Sequence, residues 1–145
     1  MFERKTQVLV AVVLMGLLVG AVGAFGAIIG PGPGPGLLGT TSLVLPDPYQ
    51  FVGRVSGWLT SDGDFDIYEE TLRGGQRYKI TLSGPQSADF DILVFDENEN
   101  LVTKSVGLTS DEVVYVTPRW TGPFFIVVMS YDGSGSYTMK LYRQA

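Results

Sequence analysis

The 145-residue sequence contains no cysteine. Disulfides, thiolate nucleophiles and cysteine-based zinc sites are therefore excluded. It contains no histidine either. That removes the usual general base, serine–histidine–aspartate hydrolysis and the commonest transition-metal ligand. Basic residues are few, ten against fifteen acidic ones, for a net charge of −5. An acidic surface is a poor nucleic-acid partner, because binding a polyphosphate requires basic groups that displace its counterions.

What the sequence does have is one long uncharged stretch, Gln7 to Gly30, with 24 residues and no proline. A bilayer core of ~30 Å needs roughly 20 apolar residues at ~1.5 Å rise each. A cleaved signal peptide has a shorter apolar core, about 7–15 residues. No helical angle presents a polar face, so a buried soluble helix is disfavoured. Residues 7–30 are expected to be a transmembrane helix or uncleaved signal anchor. Arg4 and Lys5 precede it, which favours a cytoplasmic stub over residues 1–6 and an extracellular C-terminal part. Gly16, Gly20 and Ala24 lie four apart on one helix face. Such a face lets two membrane helices approach closely and marks a helix-packing or self-association surface. Small residues at Val22-Gly23-Ala24 and Phe25-Gly26-Ala27 keep signal-peptide cleavage open as the rival.

Arg4-Lys5-Thr6 ahead of an apolar helix also resembles the leader of archaeal type IV pilin-like proteins. That resemblance covers residues 1–30 and implies a filament subunit whose helix packs in the filament core. A cut after Thr6 would put Ala11 at the fifth mature position, where bacterial pilins carry glutamate.

Gly30-Pro31-Gly32-Pro33-Gly34-Pro35-Gly36 ends the helix, since proline lacks an N–H and fixes φ. Residues 31–36 are a spacer reaching roughly 20 Å from the membrane when extended. Glycine falls every second residue, which excludes collagen.

Residues 37–145 carry eight basic and fourteen acidic side chains, a net of −6. They form one domain large enough for a two-layer core. After a lead-in with a short candidate strand at Ser42–Leu45, strands are expected at Phe51–Leu59, Phe65–Leu72, Gln76–Ser83, Phe90–Asp96, Leu101–Val106, Glu112–Thr117, Phe124–Ser130 and Tyr137–Leu141. Tyr78, Ile80 and Leu82 alternate with polar residues, a period of two that loads one sheet face. The nearly continuous apolar runs at 112–117 and 124–130 read as central strands. Gly- and Asp-rich turns separate them, and Gly75 and Gly122 suit turns needing positive φ. About eight short strands without an amphipathic helix make this part all-β, an antiparallel β-sandwich.

Asp62, Asp64 and Asp66 alternate, and Asp89 and Asp91 open another strand. These five are candidate calcium ligands, calcium wanting six to eight oxygens. An EF-hand is rejected because its sixth loop position is Ile67 and not glycine. The plainer expectation is that alternate aspartates mark the solvent side of a strand and cap turns. Trp58 and Trp120 are candidates for carbohydrate stacking. Asp96-Glu97-Asn98-Glu99-Asn100 reads as a solvated hairpin tip.

Six short runs in series resemble a known family. They are Gly57-Trp58-Leu59, Asp64-Phe65-Asp66-Ile67-Tyr68, Gly75-Gln76-Arg77-Tyr78, Ala88 to Asp96, Thr121 to Val128, and Gly135-Ser136-Tyr137-Thr138. Together, over about residues 52–142, they resemble the bacterial pre-peptidase C-terminal (PPC) domain. The resemblance implies a jelly-roll-like sandwich on an exported protein, assisting secretion, localisation or adhesion, with calcium bound in related collagenase modules. No peptidase accompanies it in this chain, so an accessory role would need a separate peptidase.

The expectation is a non-enzymatic, membrane-anchored surface module of a prokaryotic, archaeal-type chain. It has no catalytic residues and no cofactor beyond calcium. Its partners would be the membrane and other membrane or cell-surface proteins.

Overall fold

The computed structural model describes residues 47–145 and, upstream, the backbone of Glu3–Arg4. The expected membrane helix, spacer and Ser42–Leu45 strand lie outside the described residues.

The described residues form nine strands: β1 Glu3–Arg4, β2 Tyr49–Leu59, β3 Phe65–Leu72, β4 Tyr78–Ser83, β5 Asp89–Phe95, β6 Leu101–Ser105, β7 Glu112–Val116, β8 Gly122–Asp132 and β9 Gly135–Gln144. Among the described residues there is no helix, hence none long and apolar enough to cross a membrane. One sheet runs β1-β3-β8-β5-β6 and the other β2-β9-β4-β7, all antiparallel. Chain neighbours therefore fall mostly in different sheets, as in a double Greek-key jelly roll.

The core lies between the sheets. Phe90, Ile92 and Val94 of β5 and Phe124, Ile126 and Val128 of β8 face Ile80 and Leu82 of β4 and Met139 and Leu141 of β9, all at most 3% exposed. Alternate residues on these strands point the same way, so each strand supplies its inward set by period alone.

The other positions of the two sheets have different fates. On the five-stranded sheet, Ile67, Leu93, Phe95 and Val127 form a second buried apolar cluster, flanked by Phe65, Phe125 and Met129. On the four-stranded sheet, outward residues such as Phe51, Trp58, Val113 and Tyr115 are exposed.

Two expectations are corrected. Only one of the two apolar runs is central: β8 lies between β3 and β5, whereas β7 pairs with β4 alone and is an edge. Its pattern is strictly alternating, with Val113 and Tyr115 turned to solvent. Three valines and a tyrosine read as continuous apolarity because β-branched and aromatic residues also populate exposed strand positions. Gly75 does adopt positive φ, 76°, but Gly122 is not among the positive-φ residues and starts β8. Trp120 packs where a side chain on Gly122 would grow.

Candidate functional site

The five aspartates divide into two groups by fold position. In the β2–β3 turn, Asp62 accepts the Gly133 N–H at 2.7 Å. Asp64 accepts the Thr60 N–H at 2.8 Å, the Thr60 hydroxyl at 2.9 Å and the Phe65 N–H at 2.9 Å. These are turn-closing bonds of the kind short acidic side chains make. Asp66 is different. It points inward from β3, is 8% exposed, and accepts the Tyr137 hydroxyl at 2.5 Å. Tyr137 in turn lies 2.5 Å from the Tyr68 hydroxyl. Burial first, then these bonds, hold the Tyr137 phenol well above its ordinary range, so it stays neutral.

Asp89 and Asp91 share the outer face of the five-stranded sheet. Asp91 is 4% exposed, and one carboxylate oxygen on each lacks a hydrogen-bond partner. Burial, then the charges of Asp89 and Glu112, raise Asp91 to about 7, against a smaller opposing pull from Lys104. Asp89 is raised by burial, Glu112 and Asp132. Glu112 is itself buried, accepting from the Ser105 hydroxyl and from the Gly107 N–H at 2.7 Å. An open cavity of about 490 Å³ adjoins Asp89, lined also by Gln86, Ser87, Ala88, Leu108, Tyr131 and Asp132. Solvent-facing strand positions were expected for Asp66 and Asp91. Burial of both corrects that, because alternation alone does not reveal which face is covered. Among the described residues, no three carboxylates converge as a metal-ligand set.

The hairpin tip is only partly solvated. Asp96 is buried, and its carboxylate accepts from the Asn98 and Asn100 N–H groups, both at 2.9 Å. Burial opposes its charge, but the bonds from Asn100 and Asn98 outweigh it and hold Asp96 below the usual range.

Trp58 and Trp120 are not brought together. Trp58 is 59% exposed on the outer face of β2. Trp120, in the β7–β8 connection, packs against Phe124 at 6.2 Å between ring centroids.

A feature that sequence reasoning missed lies on the four-stranded sheet. The registers Phe51↔Tyr142, Tyr142↔Lys79 and Lys79↔Tyr115 place one residue from each strand in a straight row. Phe51 meets Tyr142 edge-on at 5.8 Å. The Lys79 ammonium sits 4.8 Å from the Tyr142 ring centre and 4.7 Å from that of Tyr49. Tyr49 tilts against Tyr115 at 5.8 Å, and Arg77 lies 5.1 Å over Tyr115. Asp47 pairs with Lys79 at 2.7 Å; this bond lowers the aspartate and raises the lysine. Phe51 is 58% and Tyr115 46% exposed. Four strands ~4.8 Å apart make the row about 14 Å wide. Parallel to it run Arg54, Lys140, Thr81 and Val113, so the face is aromatic and locally basic on an acidic domain. Only strand order assembles it: its members come from positions 49–51, 77–79, 115 and 142.

No protein-family model matches the chain, and no curated protein matches it. Solved structures do. One is the pre-peptidase C-terminal domain of a collagenase from Bacillus anthracis, with TM-score 0.54 at 15% identity over 61% of this chain and 87% of that one. Another is Aeromonas hydrophila PliG, a periplasmic inhibitor of g-type lysozyme, with TM-score 0.51 at 13% identity over 63% of this chain and 85% of that one. At these identities the likeness concerns fold, and the fold is the PPC-like β-sandwich that the sequence resembles.

Proposed function

We propose that this chain is a non-enzymatic surface module that binds an extended polymer through the four-stranded sheet and is tethered to the membrane by Gln7–Gly30. The row Phe51–Tyr142–Lys79–Tyr115 carries the binding reading. Phe51 and Tyr115 are exposed and Tyr142 is half-buried, and the rings are held by cation–π and edge contacts and already aligned. Aligned rings bind without first losing much side-chain freedom. Ring faces suit sugar stacking, and the neighbouring Arg54 and Lys140 suit carboxylated or sulfated sugars. An acidic polysaccharide of the cell surface is the ligand class this face fits best. The absence of histidine and cysteine, and the use of Asp62, Asp64, Asp66 and Asp96 in turns and core, support a binding role over catalysis.

Phe51→Ala combined with Tyr115→Ala should lower retention on an acidic polysaccharide matrix at least tenfold, measured by affinity electrophoresis. Thermal unfolding should change little, since both side chains are largely exposed. Unaltered retention would remove the sheet face from consideration.

The tether is tested by mass spectrometry of the mature N-terminus. A start at Met1, with recovery only in detergent, supports the anchor. A start near Phe25 or Ile28 supports secretion, and one at Gln7 the filament subunit.

A further inference from the structure

Lys79 is the cation set into the aromatic row, and it already holds a carboxylate. Its side chain is 15% exposed, with the ammonium 4.7 Å from the Tyr49 ring centre and 4.8 Å from that of Tyr142. It donates to Asp47 Oδ2 at 2.7 Å. The Asp47 side chain is 59% exposed, and Oδ1 accepts the Tyr49 N–H at 3.0 Å. The cation is therefore built into the sheet, while its partner stands in solvent.

We propose that Lys79, with the rings of Tyr49 and Tyr142, forms a carboxylate subsite, filled by Asp47 in the free protein and by a sugar carboxylate of the polymer once it is bound. This rests on the reading of the aromatic row as the polymer site. Lys79 stands between Phe51 and Tyr115 in that row, so a chain lying along both rings passes it.

Asp47 is held in a way that lets it leave. The backbone beside it is fixed by other bonds. The Pro48 carbonyl accepts the Ala145 N–H at 2.7 Å, and Tyr49 pairs with Gln144 across the β2–β9 ladder. The Asp47 side chain can thus turn outward without unpairing β2. An ion pair with one partner so exposed adds little net stability. A polymer already stacked on the rings presents its carboxylate at high effective concentration. The exchange replaces one charged acceptor by another, so the ammonium stays paired throughout. A neutral sugar offers only hydroxyl acceptors, which make weaker bonds to an ammonium, and it leaves Asp47 in place. Asp47 is in this sense a specificity-determining residue.

The test uses the full chain in non-ionic detergent and two probes, polygalacturonate and its uncharged methyl ester. Affinity is read as retardation relative to a polymer-free gel. Asp47→Asn keeps an acceptor for the Tyr49 N–H and removes the charge. It should tighten polygalacturonate binding about two- to fivefold, the range an exposed ion pair is worth. Binding of the ester should not change. Glu97→Gln, which removes one exposed charge from the β5–β6 tip on the other sheet, should leave both unchanged. Lys79→Met should weaken polygalacturonate binding, and Asp47→Asn should add nothing in that background. If Lys79→Met lowers the thermal midpoint, Lys79→Gln takes its place. A gain that Glu97→Gln reproduces, or that persists without Lys79, is bulk charge and overturns the subsite. Tighter retention of the native chain by the ester than by polygalacturonate overturns it too. Equal affinity of the native chain and Asp47→Asn refutes the subsite and leaves the polymer reading standing. Retention of neither protein by either polymer refutes that reading, and the subsite with it.

Discussion

Unfolding free energy should fall as pH rises from 4 to 8, and Asp91→Asn should remove most of that fall. Burial raises Asp91 to about 7 from an ordinary 3.8, the charges of Asp89 and Glu112 adding to it. The groups facing it are Asp89 on its own strand, Glu112 on β7 and Lys104 on β6, with Asp132 of β8 acting on Asp89. The folded state keeps a proton that the unfolded chain has shed. Stability is therefore complete below about pH 4 and is lost as pH climbs through about 7, levelling off above. At ~1.4 kcal/mol per unit, the loss is about 2–4 kcal/mol, the upper figure being the whole shift. Asp96 and Asp47 act in the other sense, losing their contribution as pH falls. Their window lies near and below pH 4, so urea melts between pH 5 and 8 isolate the Asp91 pair. Asp91→Asn should be flatter and more stable at pH 8. Parallel curves for the two proteins would show that Asp91 does not carry the dependence. Millimolar calcium at pH 8 discriminates further. Recovery of stability in the native chain but not in Asp91→Asn would place a cation on the two unpartnered oxygens of Asp89 and Asp91.

The same pair shows what could be read from sequence and what could not. Strand positions were legible because each strand carries its own period and each turn its own Gly, Asp or Pro. All eight strands of the domain appear within a few residues of expectation. Sheet order is a different kind of information. That β7 is an edge, and that Phe51, Tyr142, Lys79 and Tyr115 line up, depends on which strands pair across dozens of residues. Faces are likewise silent. Leu93 and Phe95 alternate with Ile92 and Val94, and an apolar residue at each position from Ile92 to Phe95 hid the fact that β5 is buried on both faces. Asp91 lies just ahead of the apolar run Ile92–Phe95, and its burial follows from the strand's place in the sheet and not from its own chemistry. The aspartates of the 62–66 turn were visible as a cluster, but their separate uses needed the coordinates of Gly133, Thr60 and Tyr137.

Gly57→Ala should destabilise the sandwich by about 2–4 kcal/mol, a large effect for one methyl group in a strand. Glycine in a strand interior normally weakens it, so alanine would ordinarily be neutral or better. Here Gly57 lies directly across from Tyr137 in the β2–β9 register. A Cβ at Gly57 would press on the Tyr137 hydroxyl and stand 2.5 Å from Cζ and 2.8 Å from Cε1. The ring cannot give way. It is 2% exposed, meets Phe90 edge-on at 6.4 Å, and donates its hydroxyl hydrogen to Asp66 at 2.5 Å. Displacing it adds the loss of a buried bond to a carboxylate, about 1–3 kcal/mol, to the overpacking strain. Tyr137→Phe isolates that bond and should cost less than Gly57→Ala, because the ring stays put. Tyr137→Ala costs about 3–5 kcal/mol alone, as large-to-small changes in packed cores do. In that background the space over residue 57 is open, so Gly57→Ala should cost nothing or add a few tenths of a kcal/mol of stability. The sign change between the two backgrounds is the diagnostic, read by urea denaturation of all four proteins. An equal cost in both would mean that Gly57 serves the backbone of β2 and not the tyrosine lying over it.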